Sequence, residues 1–263
     1  MIVFFIFGAV FLLVAIVAFG SMRHARSELH AMIGTQTLPV SDLEVRRSAS
    51  REVVPAGEFR HTCEVVGTAE ARPEGPLQSE LSGSPCVWYR FVVMRHYEQV
   101  TRSSNGSRNV RRRTETLAET NSWESFGVRD DHGQLIGLDP GGSAVDEPQK
   151  VIDQFEPHGP SGGPTMFGVQ LPNAFGGHDG TTGYSYQEWI VPQGRRLYVL
   201  GEANDRAGTL MISRPLGGGH FIVSTRSEQE VREGRRKRHR TLSYAVLGSA
   251  LAGLVLIGLG FLA

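Results

Sequence analysis

No charged side chain occurs between Met1 and Met22, and Ile2 to Gly20 is almost wholly apolar. Leu242 to Ala263 is again uncharged and mostly apolar. About 20 apolar residues span a bilayer as a helix, because a helix satisfies its own backbone groups in hydrocarbon. Two such runs bracket one soluble segment, residues 21–241, so whatever folds there is tethered at both ends. For the first run the rival reading is a cleaved signal peptide, which needs a basic n-region and a small-residue cleavage site. No Lys or Arg precedes this run, and Ala18-Phe-Gly20 is a poor site. Both runs are therefore read as transmembrane helices, 1–22 and 242–263.

Flanking charge sets an expected orientation. Arg23 and Arg26 follow the first run, and Arg232, Arg235, Arg236, Lys237, Arg238 and Arg240 precede the second. Cations at span ends favour the cytoplasm. The expectation is a two-pass integral membrane protein with a cytoplasmic soluble domain and both termini outside. Overall, Lys+Arg 27 balances Asp+Glu 27, which gives no ground for bulk nucleic-acid binding. In a reducing compartment Cys63 and Cys86 are expected to be free thiols. Within the second run, Gly248 and Ala252, and Ser249 and Gly253, have small-xxx-small spacing. Glycine-rich spans reach that spacing by chance.

The soluble segment reads as mainly β. Residues 23–60 are polar with scattered apolar positions and read as a juxtamembrane linker. One short helix starts in it at the capping-box spacing Ser41-Asp-Leu-Glu44. A β-rich domain is placed at 61–226. Its central strand follows the turn residues Ser82, Gly83 and Pro85 and runs from Val87 to about Val100. Trp88, Val92 and Met94 lie on one face of that strand, and Tyr89, Phe91 and Val93 on the other, which suits the inside of a sheet. Asn105-Gly106 marks a hairpin returning through Arg111–Glu119, and Asp131-His-Gly133 a second one. Residues 159–183 hold eight glycines and three prolines, and are read as a mobile loop. Strand candidates follow at Tyr186–Val191, Arg196–Ala203, Thr209–Ser213 and His220–Thr225. Many short strands between turns predict an antiparallel barrel or sandwich-like domain flanked by the two spans. Ser227-x-x-Glu230 is a second capping box, opening a basic stalk helix over 227–241. With Val231 its only large apolar residue, the stalk is expected to stand solvated.

Four pieces in order resemble the GIDE family, also called the beside-a-membrane domain. They are Gly67-Thr-Ala69 with Leu81-Ser-Gly-Ser-Pro-Cys-Val-Trp-Tyr-Arg90; Phe126-Gly-Val-Arg-Asp-Asp-His-Gly133 with Leu138-Asp-Pro140 and Ala144; Leu197-Tyr-Val-Leu-Gly-Glu-Ala203; and Phe221-Ile-Val-Ser-Thr-Arg-Ser-Glu228. The resemblance covers roughly residues 60–262. Eukaryotic members look like E3 ubiquitin ligases of organelle outer membranes, with a zinc-binding RING after the second span. A RING needs eight Cys/His ligands, and this sequence has two cysteines. The resemblance thus implies the domain and its membrane setting, in the manner of RING-less prokaryotic members, rather than the ligase reaction.

Candidate sites are few. Asp130-Asp-His132 could ligate a metal, but a hairpin turn explains Asp and Gly there as well. Ser82 and Ser84 lack a G-x-S-x-G elbow, and no phosphate-binding loop motif occurs. The sequence therefore suggests no catalytic residue, metal site or cofactor. What remains is basic. Arg111, Arg112 and Arg113, with Arg102 and Arg108, surround the first hairpin as a solvated tip or a patch for anionic lipid or an acidic partner. Arg232, Arg235, Arg236, Lys237, Arg238 and Arg240 serve topology and meet anionic lipid headgroups. The expected function is a non-catalytic interaction or sensing module with an unidentified protein partner. The alternative is an E3-ligase-like role, or a subunit of a membrane enzyme.

Overall fold

The computed structural model describes residues 2–102, 108–158, 165–166, 169–170 and 180–262. In chain order the elements are α1 (Ile2–Gly34), α2 (Val40–Ser50), β1 (Arg60–Glu70), β2 (Leu77–Gln78), β3 (Pro85–Cys86), β4 (Trp88–Arg102), β5 (Arg108–Asn121), β6 (Phe126–Asp130) and β7 (Leu135–Leu138). There follow β8 (Gln149–Pro157), β9 (Thr165–Met166), β10 (Val169–Gln170), β11 (Thr181–Val191), β12 (Arg196–Asn204), β13 (Met211–Ser213), β14 (Ile222–Ser224) and α3 (Glu228–Leu262). The Asn105-Gly106 turn and most of the glycine-rich 159–183 stretch lie outside the described residues. Within that stretch, β11 begins at Thr181, three residues ahead of the Tyr184 restart that the composition suggests.

Five strands close into a barrel in the order β1-β6-β7-β13-β12, with β12 returning to β1. Every pairing is antiparallel except β7 with β13. Numbered within the barrel alone, this is first-second-third-fifth-fourth, the Greek-key arrangement of an OB fold. β1 is long enough to serve two neighbours: Arg60–Thr68 pair with β12, and Gly67–Glu70 with β6. At Gly67 both neighbours grip the strand. A Cβ there would lie 2.4 Å from the Arg129 carbonyl oxygen, so only glycine fits. Val65, Val128, Ile136, Leu138, Leu197, Val199 and Ile212 fill the interior. β14 pairs with the middle of β12.

Two insertions into the barrel build a second sheet, β5-β4-β11-β8, antiparallel throughout. One lies between β1 and β6, the other between β7 and β12. They join the barrel where the Val87 amide donates to the Val191 carbonyl at 2.9 Å. Val87, Trp88 and Val191 are buried there in the barrel's core cluster. β4 is thus an inner strand, as its two-faced apolar pattern predicts. Phe91 lies beside the core: it is half-buried, packed at the margin of a smaller cluster of Leu81, Val93, Ile152, Tyr184 and Tyr186. β8 has no counterpart among the sequence-derived strands, because Gln149–Pro157 carries charge on both faces and buries only Ile152.

The helices differ most from expectation. α2 forms, yet Ser41 does not cap it. Pro39 stands at the N-cap, and the Val40 amide donates to Asp130 Oδ2 at 2.9 Å. A barrel carboxylate thereby replaces the local cap. α1 continues through residues 23–34, which composition assigns to a linker, with Ala25 and Met32 buried. The helix start at Ser227 is as expected: its amide donates to Glu230 Oε2 at 2.8 Å and its hydroxyl accepts from the Glu230 amide at 3.3 Å. α3 then runs unbroken to Leu262. α1 and α3 lie side by side along their length. A Cβ at Gly8 would approach Ile257 Cγ1 to 2.6 Å and the Gly253 carbonyl oxygen to 3.1 Å. Gly253 therefore belongs to a close helix contact, while Gly248 faces open space. Both helices are long and apolar enough to cross a bilayer, which fits a two-pass membrane protein.

Burial depth separates two neighbouring aromatics on β4. Trp88→Ala should cost about 3–5 kcal/mol, the range for a fully buried large side chain. Phe91→Ala should cost clearly less. Chemical unfolding of the detergent-solubilised protein, followed by intrinsic fluorescence or circular dichroism, measures both.

Candidate functional site

The described residues form no group of three or more His, Cys, Asp or Glu side chains placed to hold a metal ion. Asp130 is committed to its hairpin turn: Oδ1 accepts from the His132 and Gln134 amides at 3.0 and 2.8 Å, and Oδ2 holds α2. Asp131 pairs with Arg196 on the barrel surface, the two side chains flanking β1. The serines of the 79–84 turn are held by the buried Glu188, which accepts from the Leu81 and Ser82 amides at 2.7 and 3.0 Å and from both Ser79 and Ser82 hydroxyls. That carboxylate staples the turn to β11. Cys63 and Cys86 are free and buried, and burial pushes both thiols up to about 12, so neither is a ready nucleophile.

The best-built polar site is the neck, where both long helices meet the barrel. Val231 of α3 is fully buried against Met32 of α1 and against Tyr198, Leu200 and Ile222. Its one large apolar side chain is enough to seat the helix, because residues 23–34 supply a helical partner. The solvated stalk is thereby corrected. Arg232 pairs with Glu228 and donates to the Met32 carbonyl at 3.3 Å. Arg235 reaches Glu28 at 3.2 Å. These two arginines fasten the helices together, whereas Arg236, Lys237, Arg238 and Arg240 are exposed and make no ion pair among the described residues. Arg23 and Arg26 on α1 are exposed as well.

Under this joint lies Glu64, 1% exposed. Its carboxylate accepts from the Tyr198 phenol at 2.7 Å and the Thr37 hydroxyl at 3.2 Å. Burial raises the carboxyl above its ordinary range; Tyr198 opposes the shift, Glu228 adds to it, and Thr37 and Arg232 oppose it. Burial, with the Glu64 charge, raises the Tyr198 phenol too. A second polar contact sits lower on α1. His220, just before β14, shares a hydrogen bond of 2.9 Å with the Ser27 hydroxyl, and its ring centroid lies 5.7 Å from that of His24. Burial lowers the His220 imidazole; Glu28 opposes this, and His24 and Arg235 lower it further.

Arg111, Arg112 and Arg113 sit elsewhere. They are exposed on β5, paired in register with Gln99, Glu98 and Tyr97 of β4. Arg112 reaches Glu98 at 3.5 Å. Arg112 and Arg113 border a cleft of about 420 Å³ with His96, Thr114, Phe155 and Thr182. His96 contacts the Ser185 hydroxyl at 2.7 Å and the Thr114 hydroxyl at 3.3 Å. The two basic groups thus belong to different parts of the fold. Sequence reasoning finds neither the Glu64–Tyr198 pair nor the His96–Ser185 pair, whose partners lie 134 and 89 positions apart. Glu188 left a faint signal: it shares the period-two face of Tyr184 and Tyr186 on a buried strand.

An OB-like barrel joined to two helices long and apolar enough to cross a bilayer defines the class of fold. The model of the GIDE family, described as E3 ubiquitin ligase, matches residues 96–258, more than half of the chain. The chain belongs to the GIDE family. Its match starts within β4, so the Leu81–Arg90 segment of the resemblance lies before it. No curated protein and no solved structure matches the chain.

Glu64 gives the neck a testable pH signature. A carboxyl whose folded pKa is raised binds more protons folded than unfolded. Its contribution to stability is full below the ordinary value near 4.5 and is lost as pH rises through the raised folded value. Glu64→Gln keeps an acceptor for Tyr198 and removes the buried charge. It should raise the Tm at pH 7, with the gain shrinking towards pH 4.5. Thermal unfolding from pH 4 to 8 checks this.

Proposed function

We propose that this chain is a non-catalytic interaction or sensing module, held on the cytoplasmic face of a membrane with both termini outside. The observation that carries the reading is the neck. The barrel is seated on both helices within a few turns of their apolar runs, and the cations not used in that seating are left exposed around it. Arg236, Lys237, Arg238 and Arg240, with Arg23 and Arg26, then meet anionic headgroups, each contributing about 1 kcal/mol of attraction. Arg232 and Arg235 keep a structural part. The outer sheet, with Arg111, Arg112 and Arg113, projects an exposed charged surface suited to a partner protein. The buried, high-pKa thiols and the fully engaged Asp130 and Glu188 support the non-catalytic reading.

Family membership supports a second reading, an E3-ligase-like role, because that is how the matching family is described. The two readings part in one assay: the purified chain should not accelerate ubiquitin transfer from a charged conjugating enzyme, and acceleration would favour the second.

Sidedness has its own test. A phosphatase that folds only outside the cytoplasm, fused after Ala263, should be active. Replacing Arg236, Lys237, Arg238 and Arg240 with glutamine should divide the population between two orientations. An inactive wild-type fusion would reverse the assignment.

A further inference from the structure

We infer that the β13–β14 loop is a third membrane contact, with Leu216 inserted into the lipid interface beside α1. The inference rests on the membrane setting of the two long helices and is independent of which side the domain occupies.

The height of the loop follows from its neighbours. Ile222, at the start of β14, packs with Met32 and Val231 at the top of the neck. Two residues earlier, His220 lies against His24 and Ser27 of α1. Going back from Ile222 to His220, the chain descends along α1 from residue 32 to residues 24–27. At 1.5 Å per residue that is about 8–12 Å towards the apolar run, spanned partly by the His220 side chain. The uncharged run extends to Met22. Ser27 is then about 8 Å beyond it and His24 about 3 Å, which is headgroup depth.

The loop that continues from His220 is Arg214-Pro-Leu-Gly-Gly-Gly219. Leu216 is 58% exposed, an apolar side chain without cover four positions before His220. A Cβ at Gly217 or Gly218 would meet no neighbouring atom, so the flanks are open on the protein side. Gly218 and Gly219 take φ of 82° and 142°, the region that favours glycine. Arg214 stands at the other end, exposed, its guanidinium over the Phe221 ring and in a 2.9 Å bond to the Ser143 hydroxyl. A lone apolar tip flanked by exposed cations on the loop and the neighbouring helices suits an interfacial contact with anionic lipid. It would add a third fixed point to the two helices and set the barrel's tilt on the bilayer.

The full chain carrying Leu216→Cys, spin-labelled in vesicles of phosphatidylcholine and phosphatidylglycerol, tests this. Cys63 and Cys86 are both buried and stay unlabelled. Val14→Cys in the first span and Val53→Cys in the connection after α2 give the lipid and water references; both wild-type side chains are exposed. Collision rates with oxygen, which partitions into lipid, and with a water-soluble nickel chelate read depth. The label at 216 should show an oxygen-to-nickel ratio several-fold above that at 53 and on the side of that at 14. Gly217→Cys should repeat the result if the leucine replacement disturbs the tip. If 14 reads as lipid while both 216 and 217 read as water, the inference is overturned and the membrane reading survives. If 14 also reads as water, both fail.

Discussion

The pairing of β1 with β12 is the contact on which the rest of this structure depends. It closes the barrel, and it needs Gly67 because the β6 carbonyl at Arg129 approaches where a side chain would start. The same two strands carry Glu64 and Tyr198 outward to the neck, where the hydrogen-bonded pair lies beneath Met32 and Val231. Barrel closure and the seating of the two long helices therefore share residues. A burial that raises the Glu64 carboxyl is the cost of bringing two helices down on a polar strand face. The hydrogen bonds from Tyr198 and Thr37 offset it.

The helix pair and the barrel act as parts of one body. α1 and α3 approach closely at Gly8 and Gly253 inside their apolar runs, and at Glu28–Arg235 and Met32–Val231 beyond them. Small residues allow backbone contact in lipid, while the ion pair and the apolar cluster work where water is present. The two insertions that form the outer sheet leave this joint untouched. They place the long β4–β5 ribbon, with Arg111, Arg112 and Arg113, in a separate sheet.

Much of the architecture was legible in single segments. The two uncharged runs announce the helices, β4 declares itself an inner strand by carrying bulk on both faces, and Ser227-x-x-Glu230 forms the cap its spacing promises. What was not legible depends on partners far away in sequence. Ser41-x-x-Glu44 has the same spacing, yet Asp130 reaches α2 first. Residues 23–34 look like a linker because their packing and ion-pair partners, among them Val231, Ile222 and Arg235, lie about 200 positions away. Val231 looks too little to seat a helix until Met32, Tyr198, Leu200 and Ile222 are gathered around it. β8 is held by β11 rather than by its own pattern. For the site, composition separates the neck cations from the hairpin arginines but does not show that Arg232 and Arg235 are engaged while Arg236, Lys237, Arg238 and Arg240 are exposed.

Joined at the neck, the barrel and the two long helices should move as one unit. The most direct measurement is a pulsed electron-resonance distance in vesicles between labels at Leu135→Cys on β7 and Leu247→Cys on α3, two exposed positions. One narrow distance distribution is expected, broadened when Val231 is replaced by aspartate. A broad or multi-peaked distribution in the otherwise wild-type chain would contradict it.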